Sequence, residues 1–99
     1  MERDLEYISL FEIYKGLLTE KQREIFTSHY LFDLSLSEIA ETEGGSRQSV
    51  YDAVKKVKIK LSEYENLLHV REKNLKIQNL MESDIPKDLK EKLTEIINV

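Results

Sequence analysis

The stretch of this chain best suited to chemistry is Ser46-Arg47-Gln48-Ser49, followed by Tyr51, Lys55 and Lys58. Arg and Gln pair bidentately with the edges of guanine and adenine. Serine hydroxyls and free amides at a helix N-terminus hold phosphate. A tyrosine there either touches a thymine methyl or a sugar, or flanks the core half-buried; the sequence leaves both open. On a helix turning about 100° per residue, Arg47, Tyr51, Lys55 and Lys58 share one direction, with Gln48 just beyond. These residue types support recognition of a nucleic acid and no bond-making. Asp52 reads as a surface partner of Lys55 and Lys56.

Other candidates lack the company that chemistry needs. His29 and His69 lie far apart, without the three or four ligands of a metal site. Glu41 and Glu43 have no nucleophile beside them, and Ser46 reads as a helix cap with no partner base. Gly44-Gly45 lacks the preceding strand and the lysine of a phosphate loop. The expectation is a protein that is not an enzyme, with no catalytic residue, no metal, no cofactor and no small-molecule substrate.

Composition agrees. The chain has 99 residues, one domain's worth, with 40% apolar and 34% charged residues, three Gly, one Pro and no Cys. That excludes a disulfide scaffold and a Cys-based zinc site. No apolar run approaches the ~20 residues of a membrane span, and no secretory leader is visible, so no membrane insertion and a cytoplasmic location are expected. The net charge of −4 is unevenly spread. Residues 1–46 set four cations against ten carboxylates, residues 47–62 set five cations against Asp52, and residues 63–99 set six cations against eight carboxylates. A basic block can be a plain solvated face; here it coincides with the Ser46–Lys58 stretch.

The elements that position this stretch are helices, so the fold class is all-α. Tyr7, Phe11, Tyr14 and Leu18 step at helical spacing and predict a first helix over 4–18. Thr19-Glu20-Lys21-Gln22 and Ser35-Leu36-Ser37-Glu38 are capping boxes, starting helices over 20–32 and 36–43. Gly44-Gly45 closes the third helix and Ser46 caps the fourth. A short helix, a tight glycine turn and a second capped helix make a helix-turn-helix, in which the second helix lies in the major groove of DNA; a generic helix pair joined by Gly-Gly is the plainer reading of the same pattern.

The fourth helix carries a heptad seam of Val50, Val54, Val57, Leu61, Tyr64 and Leu68, fading at Arg71 and returning at Leu75. Unbroken to Glu82 it would be about 54 Å long. A capping pattern at Ser62-Glu63-Tyr64-Glu65 marks the alternative, a break near Ser62. Asp84-Ile85-Pro86 ends this region, and Leu89, Leu93, Ile96 and Ile97 line a last helix. The expected organisation is a helical domain over 1–62, containing the helix-turn-helix at 36–60, and a helical extension over 63–99. That extension either pairs two copies through Leu61, Tyr64, Leu68 and Leu75 or folds back on itself.

Three runs together, Leu17-Leu18-Thr19-Glu20-Lys21-Gln22-Arg23, Tyr30-Leu31-Phe32-Asp33-Leu34-Ser35-Leu36-Ser37-Glu38-Ile39-Ala40-Glu41 and Ser46-Arg47-Gln48-Ser49-Val50-Tyr51-Asp52, resemble the YlxM family of small bacterial proteins. The resemblance spans residues 5–70 and leaves 71–99 without a counterpart. It implies a fold like region 4 of bacterial sigma factors, a helix-turn-helix that reads promoter DNA. It also implies a regulatory role in the signal recognition particle pathway, because genes of this family commonly neighbour those of that particle. The expected partners are DNA or RNA, components of the particle, and a second copy of the chain. The alternative is a protein or RNA adaptor of the particle that does not read DNA. The chain departs from the family in the turn, where Glu43 and Gly45 stand in place of common apolar residues.

Overall fold

Side chains that recur every three to four residues can bury one stripe only by winding as helices, and the chain does so throughout. The computed structural model describes residues 2–98. It contains six α-helices: α1 Glu2–Tyr14, α2 Glu20–Tyr30, α3 Leu36–Glu43, α4 Arg47–Leu68, α5 Val70–Met81 and α6 Lys87–Ile97, with a 3-10 turn at Lys15–Leu17 after α1. No strand occurs among the described residues.

Three helix starts are set by reciprocal caps. The side chains of Thr19, Ser35 and Ser46 accept from the amides of Gln22, Glu38 and Ser49, and those three side chains return to the cap amides. Such a cap is worth about 1 kcal/mol. The Ser35 amide and hydroxyl hold the Glu38 carboxyl below the usual carboxylate range. α1 stops at Tyr14, short of the expected Leu18. Beyond it the chain tightens into the 3-10 turn, where the Arg23 guanidinium donates to the carbonyls of Leu18 (2.6 Å) and Lys15 (3.2 Å).

Two apolar clusters share α4. Leu10, Phe11, Tyr14 and Leu18 meet Phe26, Val57 and Leu61 in one. Ile25, Ile39 and Ala40 meet Val50 and Val54 in the other. Phe26 stacks against both Phe11 and Tyr30, with ring centroids 4.5 Å apart in each case. The first half of the heptad seam is therefore consumed inside the chain. Leu61 is fully buried, and Tyr64 packs against the same cluster with its hydroxyl donating to the Leu17 carbonyl (3.4 Å). Leu61 is therefore closed to a second copy, which corrects the expectation for that residue, while Tyr64 keeps part of its surface. Leu68 and Leu75 are exposed.

The long helix breaks at His69, neither near Ser62 nor beyond Met81. His69 takes a left-handed conformation (φ 54°, ψ 29°), and Ser62 sits mid-helix without capping anything. Glu65 sets the new start. Its carboxylate accepts from the Tyr14 hydroxyl (2.6 Å) and from the amides of Arg71 (3.0 Å) and Glu72 (2.9 Å). The Tyr14 oxygen in turn accepts from the Val70 amide (3.2 Å). A carboxylate on α4 and a phenol on α1 thus cap the first turn of α5, where a negative charge also meets the positive end of the helix dipole. Burial alone would raise the Glu65 carboxyl. The Tyr14 hydroxyl, the two amides and the nearby His69 outweigh it and hold the group below the usual carboxylate range. Burial, then the Glu65 carboxylate, push the Tyr14 hydroxyl up.

A depressed carboxyl stabilises the fold above its unfolded pKa, and that contribution is lost as pH falls through the folded value. Acidification below the ordinary carboxylate range should therefore loosen α5. Glu65→Gln should cost about 1–2 kcal/mol at neutral pH, the worth of a charged cap, and flatten the acid dependence. Thermal melts by circular dichroism from pH 7 to pH 3 check this. An acid profile unchanged by the substitution would show that the cap contributes nothing.

Beyond the break, α5 runs back beside α1, with Arg71 Nε donating to Ser9 Oγ (3.2 Å), and α6 lies against α5. Neither α5 nor α6 holds a fully buried residue. The radius of gyration is 16.8 Å and the extents are 54 × 25 × 22 Å. A compact chain of this length would have a radius of about 13 Å.

Candidate nucleic-acid interface

Helices α3 and α4 are joined by Gly44, Gly45 and Ser46 and pack through Ile39 and Ala40 against Val50 and Val54. The turn needs its glycines. Gly44 and Gly45 have φ of 82° and 92°, and a Cβ on Gly45 would stand 2.9 Å from Ser49 Oγ. Lys21 on α2 pairs with Glu43 at the end of α3 (2.6 Å), and this contact raises the lysine's pKa.

The expected contact residues divide by what they already do. Ser46 and Ser49 are spent on the cap: Ser49 Oγ accepts from the Ser46 amide (3.0 Å) and donates to the Ser46 carbonyl (2.7 Å). Gln48 donates to Asp52 (3.0 Å), so Asp52 serves Gln48 and makes no ion pair with Lys55 or Lys56 among the described residues. Arg47, Tyr51 and Lys55 are exposed on one side of the first two turns of α4. Lys58 is drawn inward. It is half-buried, with its ammonium 5.1 Å from the ring centroids of both Tyr7 and Tyr30. Each such contact contributes about 0.5–1 kcal/mol. Lys56 and Lys60 extend the charge around the helix, and neither they nor Arg47 nor Lys55 has a carboxylate partner among the described residues.

The chain matches over residues 1–98 the UPF0122 family, described as "Putative helix-turn-helix protein, YlxM / p13 like". The chain belongs to this family. UPF0122 proteins of Ureaplasma urealyticum and Clostridium perfringens are similar to it. The first is 44% identical over 88 residues, covering 85% of this chain and 89% of the relative. The second is 38% identical over 111 aligned residues, covering 99% of both. A UPF0122 protein of Shouchella clausii is 45% identical over 73 residues, covering 74% and 67%. The UPF0122 match reaches α5 and α6, well past residue 70 where the visible resemblance stops.

One feature of this UPF0122 chain has no sequence signature. A cleft of about 230 Å³ opens beside α4, where Tyr51, Lys55 and Lys58 face His29 and Tyr30 of α2 across a floor of Leu36 and Val54. His29 Nδ1 lies 2.9 Å from the Leu34 carbonyl, which can only accept, so Nδ1 donates to it. No periodicity connects these residues, because they come from three helices. A larger hollow of about 550 Å³ lies beyond His29, rimmed by Asp4 and Asp33. Among the described residues, no cluster of His, Asp and Glu suits a metal ion, and no helix is long and apolar enough to cross a membrane.

Proposed function

We propose that the exposed side of α4 binds nucleic acid and that the protein is a non-enzymatic regulatory protein of the cytoplasm, built like region 4 of sigma factors and serving the signal recognition particle pathway. The observation that carries the reading is Arg47, Tyr51 and Lys55, exposed at the start of the second helix of a helix-turn-helix, with no carboxylate within ion-pair distance of the two cations among the described residues. Their block is the one net-positive segment of an acidic chain. The alternative is an adaptor of the particle, binding its RNA or a protein component without reading DNA. The exposed Phe32 favours its protein-binding form, since it offers a partner an apolar anchor.

Gel shifts with duplex DNA and with the particle's RNA, each across a salt series, test both. Binding that weakens steeply with salt supports the interface. Preference for DNA favours the regulator and preference for RNA the adaptor. Absence of binding to either at low salt would end the nucleic-acid reading.

Few cations on one subunit give weak binding, and the same reading makes the protein a homodimer. Leu75, Leu80, Leu89 and Ile96 are exposed on α5 and α6. Each such side chain is worth about 1.5–3 kcal/mol when fully buried, so two copies gain by covering them. Sedimentation equilibrium at micromolar concentration should give about twice the 11.7 kDa chain mass. Leu75→Glu with Leu89→Glu should return one chain mass. A parent that sediments as a monomer would end the dimer.

A further inference from the structure

We propose that the cleft beside α4 is a slot for one unstacked nucleotide, so that the preferred ligand carries a bulged or single-stranded base. The proposal rests on the nucleic-acid reading and refines it.

Size comes first. At about 230 Å³ the cleft lies below the roughly 300–1,000 Å³ of sites for drug-sized ligands, and it suits one planar ring system. Its walls are the second point. Phe26 stacks on Tyr30 and Lys58 lies over it, so that ring is already engaged. Tyr51 is 47% exposed, the one lining aromatic with a ring left open to a base. Leu36 and Val54 give the cleft its apolar lining, and His29 stands on the side of α2.

Charge is the third. The cleft is lined by Lys55 and Lys58 and by no carboxylate, whereas the hollow beyond His29 carries Asp4 and Asp33. An apolar floor with a cationic edge fits a base with its attached phosphate. Lys58 is also positioned in advance, since its ammonium sits over two tyrosine rings and has no carboxylate partner among the described residues. A base locked in a duplex cannot enter; one turned out of the stack can.

The probes are an RNA hairpin with a single-nucleotide bulge, the same hairpin fully paired, and the DNA counterparts of both, with 2-aminopurine at the bulge. The parent should bind the bulged forms more tightly and quench the probe. Tyr51→Ala should weaken bulged binding about tenfold more than paired binding, the worth of one aromatic stack. Tyr51→Phe should restore the preference. Circular dichroism confirms that each variant folds. RNA and DNA arms that respond alike assign the recognition to base and phosphate; a response confined to RNA adds the ribose hydroxyl. Equal binding of paired and bulged forms by the parent, or equal losses on both in Tyr51→Ala, would overturn the slot and leave the α4 interface standing. Loss of all four complexes in Arg47→Glu with Lys55→Glu confirms that interface separately. Parent affinity for all four in that double variant would overturn both.

Discussion

Leu61→Glu is expected to abolish folding, while Leu67→Glu leaves the protein as stable as its parent. Leu61 has no exposed surface and closes the cluster of Leu10, Phe11, Tyr14, Leu18, Phe26 and Val57, while Leu67 is 78% exposed. Truncating a buried leucine costs about 2–5 kcal/mol. A carboxylate at the same place adds the desolvation of an unpaired charge, several kcal/mol more. Domains of this size have a total stability of about 5–15 kcal/mol. The sum removes most or all of it. Loss of helical circular dichroism at 25 °C, with a normal melt for Leu67→Glu, checks the pair. A folded Leu61→Glu that melts like the parent would mean that α4 does not pack as described. The result also governs how the proposed homodimer is tested: a substitution at Leu61 reports on folding, and the residues that report on association are Leu68 and those exposed on α5 and α6.

Local signals made the front of the molecule readable. Thr19 and Ser35 each announce a helix by a pattern four residues long and Ser46 by its place after Gly44-Gly45, and the structure caps all three helices there. Val50, Val54, Val57 and Leu61 are inside because their spacing fits one face of a helix. What stayed hidden depends on residues distant in sequence. The break at His69 is stabilised by Tyr14 and Glu65, 51 positions apart, and no window of sequence contains both. The capping pattern at Ser62 is just as good locally as those at Thr19 and Ser35, yet it is overridden because Leu61 and Tyr64 are already committed to α1. The contact face was half legible. Helical angles place Arg47, Tyr51, Lys55 and Lys58 together, but they do not show that Tyr7 and Tyr30 draw Lys58 inward or that His29 completes a cleft. The pairing of Gln48 with Asp52 is an ordinary i,i+4 contact, although charge alone would match Asp52 with Lys55 and Lys56.

Arg47→Glu with Lys55→Glu should cost at least about 60-fold in nucleic-acid affinity at 0.1 M salt. Each phosphate neutralised contributes a slope of about −0.9 in log K against log salt, so at 0.1 M a contact is worth about eightfold relative to 1 M, and two contacts about 60-fold. Reversal rather than removal sets two carboxylates against phosphates and deepens the loss. Both side chains are exposed and neither has an ion-pair partner among the described residues, so the fold has nothing to lose with them. The thermal melt should stay within a degree or two of the parent's. The salt series gives a second, independent reading: the slope should flatten by about two units, because two counterions fewer are released. Lys55→Glu alone should weaken all sequences evenly, as a phosphate contact does, while Gln48→Ala should shift preference between sequences with little change in slope. Parent affinity and parent slope in the double variant would remove this face of α4 from the interface. A lost affinity with an unchanged slope would make Arg47 and Lys55 readers of bases, with the phosphates held elsewhere.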